Sequence, residues 1–192
     1  EAKNAGGAAI KLDIDFRDNT TFTNRGMRLT LSNKSLISSG QLFGNLKGEL
    51  SYYGTSSLLI PITLGITIGS VRTFGDEIPY YHLANLGQSN NLRGYLQNRF
   101  SGKGSNYLNT DLIFHFGKLK SDFLPIYYGV SFFSDVGQIL DQNQFTTSLW
   151  HHGYGGGIYI TPINKEFVTL HINVERSKEQ SAFLKIKFGV LL

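Results

Sequence analysis

Apolar and polar residues alternate along most of this chain, with a period of two residues. Between residues 10 and 17, for example, four aliphatic or aromatic side chains alternate with four charged ones. Successive side chains of a β-strand point to opposite faces, so this period indicates strands with one apolar and one polar face. About nine segments share the pattern: 10–16, 27–31, 46–52, 60–68, 112–116, 128–132, 158–160, 168–174 and 184–192. The sequence therefore predicts an all-β, antiparallel fold without helices of any length.

Composition narrows the class of protein further. Charged residues make up 17% of the chain, below the roughly 25% of an average soluble domain, and glycine is frequent, with 22 residues. The net charge of +4 is not gathered into a basic run, which argues against a nucleic-acid partner. The chain has no cysteine, which excludes disulfides and thiolate metal sites. It also has no run of 18 apolar residues, which excludes a transmembrane helix.

Two kinds of β-protein fit this alternation. In a soluble barrel or sandwich the apolar face lies inside, whereas in an outer-membrane barrel it contacts lipid and the polar face lines the lumen. The apolar faces of this chain are nearly unbroken. The polar faces are rich in Gly, Ser, Thr and Asn, which suit a crowded lumen. These features favour a transmembrane β-barrel domain over residues 1–192.

The connections between the segments also alternate in length, as in outer-membrane barrels. The short ones are 18–24, 54–57, 117–122 and 162–166. The longer or more polar ones are 32–43, 72–105, 138–149 and 176–181. If the short turns are periplasmic, the first strand starts on the outer side, and the strand count is odd.

Several short motifs occur in a characteristic order. Leu92-Arg93-Gly94-Tyr95 lies in the long connection, and residues 107–111 and 131–137 then read YLNTD and SFFSDVG. Residues 15–19, DFRDN, precede Arg25-Gly26 near the start. In order and spacing, over essentially the whole chain, these motifs resemble the C-terminal barrel of the bacterial surface antigen superfamily. That superfamily includes the outer-membrane barrel-assembly protein and the two-partner-secretion translocators.

The resemblance implies that the loop of about 72–105 folds into the barrel lumen. There Arg93 would contact Asp111 on the next strand, and the Phe133 and Asp135 pair one strand further. The alternation agrees independently, since Asp111, Phe133 and Asp135 all fall on polar faces. Carboxylates accept the fork of a guanidinium, and a phenyl ring can lie against the cation.

We call the expected contacts of Arg93 with Asp111, Phe133 and Asp135 the lock. The two residues that follow the arginine complete it. Gly94 permits a tight loop tip, and Tyr95 can pack its ring while donating its hydroxyl. The residues alone leave a plainer alternative open, in which Arg93 is a solvated loop arginine and the acids line a wet pore.

The chain departs from the family pattern in length. Relatives typically have sixteen strands and N-terminal POTRA modules, whereas these residues supply about nine strands and no such module. Three arrangements remain open: half of a sixteen-stranded barrel, a small self-contained barrel, or a barrel closed between two copies.

The resemblance implies a function in inserting or translocating polypeptides at the bacterial outer membrane. Lipid, a client polypeptide, a second copy or the remaining strands of a larger barrel are the implied partners. A passive pore, an anchor or a structural subunit is the main alternative, and a soluble ligand-binding barrel is the third. We expect no enzyme, metal or cofactor, because no nucleophile, base and acid form an ordered set. The adjacent His151 and His152 would point to opposite faces of a strand.

Overall fold

The computed structural model describes residues 5–38, 40–56, 59–76, 78–88, 91–120, 125–140, 149–163 and 169–189. Nine strands within these ranges form one antiparallel sheet. They are β1 (Ala5–Asp15), β2 (Gly26–Ser38), β3 (Gln41–Ser56), β4 (Ile62–Phe74), β7 (Gly104–Leu119), β8 (Ile126–Leu140), β9 (His151–Pro162), β10 (Leu170–Ser177) and β11 (Phe183–Phe188). The short strands β5 (Ala84–Leu86) and β6 (Phe100–Gly102) pair with each other between β4 and β7. The predicted all-β, antiparallel fold is confirmed.

Each long strand pairs with the next long strand along the chain. The sheet is not closed among the described residues, where β1 pairs with β2 alone and β11 with β10 alone. Residues 75–103 connect β4 to β7 at one end of the strands. We call this end of the sheet the loop side, and the opposite end the turn side. With nine antiparallel strands, β1 and β11 both run from the loop side to the turn side.

The two faces of the sheet have the polarity expected of a membrane barrel. The apolar face is exposed along the sheet, with Leu12, Leu31, Leu112 and Phe132 each at least 40% accessible. The opposite face, which we call the polar face, buries hydrophilic side chains. They include Thr30, Ser51, Thr63, Asn109, Asp135, Thr161, Thr169, His171, Asn173 and Glu175. A soluble barrel would bury its apolar face, so this arrangement fits lipid around the sheet and not water.

Ile113 is an apolar residue that breaks the alternation of its strand, and the structure gives the reason. Ile113 lies on the polar face, where it is fully buried with Phe22 and Tyr159. Phe22 comes from the segment between β1 and β2, and its ring centroid lies 5.4 Å from that of His115. The Asn19 side chain holds this segment in shape by accepting from the backbone N–H of Phe22. Ile113 therefore forms part of a small apolar cluster with a residue that arrives from the turn side.

The expected long connection over 32–43 is wrong. β2 continues to Ser38 and β3 begins at Gln41, and these two residues are register partners. Gly40 has the left-handed φ of 78° that tight hairpins require. The polar run from Ser32 to Ser35 resembles a loop in sequence, but its backbone continues the pairing with β3.

Other element ends also differ from the sequence prediction. β4 and β7 extend into the predicted loop of 72–105, which leaves 75–103 as the connection. β10 continues through Ser177, so the connection predicted at 176–181 is shorter. β11 ends at Phe188, and Gly189 follows with φ 120°. Residues 190–192 of the predicted last strand lie outside the described residues, as do 141–148 of the predicted 138–149 connection.

Helical structure is limited to a 3-10 turn, Tyr80–His82, within the described ranges. That part of the chain has no helix with the length and apolar character needed to cross a membrane.

The orientation of the two faces can be checked with single cysteines, because the natural chain has none. In lipid vesicles, a fluorophore on Leu112→Cys should be quenched by nitroxide-labelled lipid tails, since Leu112 lies on the apolar face. A fluorophore on Thr67→Cys should escape quenching, because Thr67 faces the other way and bonds to Ser51. The reverse pattern would show that the polar face contacts lipid.

Candidate functional site

The connection between β4 and β7, residues 75–103, lies on the polar face of the sheet. Leu86, Leu92 and Tyr95 are fully buried there, and they pack on Tyr107 of β7. Apolar side chains in a loop drive docking when the sheet offers them an apolar contact, and Tyr107 supplies it. The Tyr107 hydroxyl in turn donates to Glu49 on β3 over 2.5 Å.

The loop is also held by its own hydrogen bonds. The Asn91 side chain donates to the carbonyl of Asn85 and accepts from the N–H of Gly87. At the base of the loop, the Thr73 N–H donates to the carbonyl of Lys103 over 2.8 Å. These bonds hold the segment that carries Arg93 in shape, and none of them involves the acids of the sheet.

Arg93 is bound by two carboxylates of the sheet. Its Nε and Nη2 donate to Asp135 over 2.8 and 2.6 Å, a bidentate pair. Its Nη1 and Nη2 donate to Asp111 over 2.5 and 3.1 Å. The backbone N–H of Arg93 adds a further bond to Asp135 over 2.7 Å. The guanidinium carbon lies 4.1 Å from the centre of the Phe133 ring, within the range of a cation–π contact.

The burial of these groups makes their pairing obligatory. The Asp135 side chain is fully buried, and those of Arg93 and Asp111 are 14% exposed. Burial by itself lowers the pKa of the Arg93 guanidinium, but the charges of Asp111 and Asp135 raise it by more. Arg93 therefore stays charged. A buried carboxylate without its cation would be strongly unfavourable.

The next two residues of the loop fit tightly against β9 and β10. Gly94 has φ 85°, and a Cβ there would lie 2.5 Å from the carbonyl oxygen of Arg176. The Tyr95 hydroxyl donates to the carbonyl of His152 over 3.3 Å, and its ring packs edge-on against Phe100. The structure thus places the predicted residues Arg93, Gly94, Tyr95, Asp111, Phe133 and Asp135 at one location.

Two contacts of the loop tip were not predicted from sequence. Glu175 of β10 accepts a bond from the Gly94 N–H over 3.3 Å. At Gly153 of β9, a Cβ would lie only 1.7 Å from the carbonyl oxygen of Arg93. Glu175 alternates with apolar residues of its strand, so its position on the polar face could be predicted from the sequence. Its contact with Gly94, 81 positions away, could not be predicted in this way.

The glycine-rich segment of β9 has a related explanation. Residues 155–157 of β9 are three consecutive glycines. A Cβ at Gly155 would meet the Phe133 ring at 2.7 Å, so this glycine makes room for the ring beside Arg93. Gly153 does the same for the loop backbone. The described residues contain no group of three or more His, Asp or Glu placed to bind a metal.

Comparison with known proteins bears on this arrangement directly. A family model described as the Omp85 superfamily domain matches residues 7–164. The match covers most of the sheet, from β1 to β9, and includes Arg93, Asp111 and Asp135. Comparison with curated proteins gives no match.

Proposed function

The chain belongs to the Omp85 superfamily, the bacterial surface antigen family of barrels, and from this premise we propose that it inserts or translocates polypeptides at a bacterial outer membrane. Members of the family are outer-membrane proteins, which gives an outer-membrane location in general. The proposed partners are lipid and a client polypeptide. The domain would work by binding and positioning the client, not as an enzyme.

The observation that carries this proposal is that, within the described residues, the two outer strands of the sheet each have one unpaired edge. In the described residues β11 pairs with β10 alone, so its other side offers unpaired N–H and C=O groups to an incoming strand. Addition of a strand to such an edge is a common mode of peptide recognition. A client outer-membrane protein consists of strands of this kind.

The direction of the edges bears on which partner fits. β1 and β11 both run from the loop side to the turn side. A second copy in the same membrane orientation would offer edges with this same direction and would pair in parallel. Antiparallel completion requires a strand that runs from the turn side to the loop side. This favours a client strand, or further strands of a larger barrel, over a symmetric pair of these domains.

The main alternative is a passive pore, an anchor or a structural subunit. The hydrogen bonds between Arg93 and two strands hold the loop across the polar face, where an open pore would need free space. We therefore place the passive pore second.

The test is an insertion assay with the full chain in phosphatidylcholine vesicles. An unfolded outer-membrane barrel protein is added, and its folding is followed by the shift of its band on a semi-native gel. We expect faster folding than in empty vesicles. We also expect disulfide adducts between a cysteine in the client and Ile186→Cys on β11, but not Leu112→Cys on the central strand β7. Ion conductance without acceleration or adducts would support the passive pore instead.

A further inference from the structure

Glu175 lies where three parts of the molecule meet. It is on β10, its residue exposure is 1%, and its two carboxylate oxygens have different partners. Oε2 accepts from the Gly94 N–H of the loop tip over 3.3 Å. Oε1 lies 3.9 Å from Nζ of Lys185 on the edge strand β11. One buried carboxylate therefore contacts both the loop and the free edge.

Lys185 depends on Glu175 for compensation of its charge. Arg93 is already occupied by Asp111 and Asp135 through four side-chain hydrogen bonds. The Lys185 ammonium is buried, and in the described part of the chain it has no hydrogen-bond partner. Its ion pair there is the one with Glu175. An uncompensated buried charge is costly, so removal of either member affects the other.

The backbone of the loop tip rests on the same strands. Gly94 packs against the carbonyl of Arg176, the residue that follows Glu175. The carbonyl of Arg93 packs against Gly153 on β9. Small shifts of β10 therefore act on the tip directly.

We propose that Glu175 couples the loop tip to the edge strand β11. When an incoming strand pulls β11 away, Lys185 leaves Glu175, and the hold of Glu175 on Gly94 weakens. The loop is then released in response to a client at the edge. This coupling rests on the proposed function, because it specifies how engagement of the edge would be signalled to the loop.

The experiment measures hydrogen exchange of residues 92–97 by mass spectrometry, in the full chain folded in detergent. Lys185→Met keeps the length of the side chain, removes its charge and leaves every loop contact in place. Glu175→Gln keeps an oxygen that can accept from Gly94 but removes the charge. We expect each variant to speed exchange at the tip about tenfold. The double variant should be no faster than the faster single one, since both disrupt one link.

The matched control is Lys11→Met on the opposite edge strand β1, where Lys11 pairs with Asp13. This variant should leave the hydrogen exchange of residues 92–97 unchanged. Exchange in β2 and β3 serves as an internal reference, because global destabilisation would speed it as well. Tip exchange in Lys185→Met equal to that in Lys11→Met would overturn the coupling. So would additive effects in the double variant.

The coupling and the proposed function can fail separately. Coupling with no acceleration of client folding would leave a link between loop and edge but remove the insertion function. Acceleration without coupling would keep the function and refute the role of Glu175. If Glu175→Gln does not fold, Lys185→Met alone decides the question.

Discussion

Replacement of Arg93 by alanine should lower the free energy of unfolding by about 3–5 kcal/mol, the usual effect of removing one partner of a buried ion pair. Two carboxylates, Asp111 and Asp135, would remain close together without a cation, and Asp135 is fully buried. The loop should detach from the polar face as a result. The measurement is the urea midpoint of the compact, fast-running band on a semi-native gel, with the full chain folded in detergent.

A second arginine of the same loop provides the control. Arg99 is exposed, and its guanidinium carbon lies 5.8 Å from the centre of the Phe100 ring. Arg99→Ala should change the midpoint little, as is usual for surface substitutions. A double-mutant cycle of Arg93→Ala with Asp135→Asn isolates the pair itself. Zero coupling in that cycle would refute the lock, however large the single effects were.

The strands and their faces could be predicted from the sequence because they depend on local alternation. Asp111 and Asp135 follow that period, so their position on the polar face could be predicted without a structure. The hairpin at Gly40 could not be predicted, because the polar residues before it resemble a loop until their partners on β3 are known. β5 and β6 have three residues each, which is too short for any period to show.

The lock itself is a different case, because it depends on contacts between distant parts of the chain. The residues alone favoured an Arg93 that faces solvent, and only the resemblance to a family connected it with the two acids. Phe22 was missed for a related reason. It lies in an irregular segment, and its place beside Ile113 is set by the fold of that segment. Alternation indicates which face a strand residue occupies, but it does not indicate which loop will cover that face.

Gly153→Ala should release the loop although it leaves every charge in place. The new methyl group would lie 1.7 Å from the carbonyl oxygen of Arg93, and backbone atoms cannot move aside as the end of a side chain can. We expect a loss of about 3 kcal/mol in unfolding free energy, the upper end of the usual cost of overpacking. Limited proteolysis of the folded protein should also cut the loop of 75–103 faster, since the tip can no longer rest on β9.

Gly48→Ala is the matched control, because it places the same methyl group in strand β3 at 3.5 Å from the flexible end of Leu31. That is an ordinary contact, so stability and proteolysis should stay near those of the natural chain. If Gly153→Ala behaves like Gly48→Ala, the loop tip does not rest on β9, and the ion pairs alone must hold the loop. If Gly153→Ala behaves like Arg93→Ala, backbone fit and charge pairing are both necessary. The carboxylates then bind Arg93 only because a glycine on β9 lets its backbone come close enough.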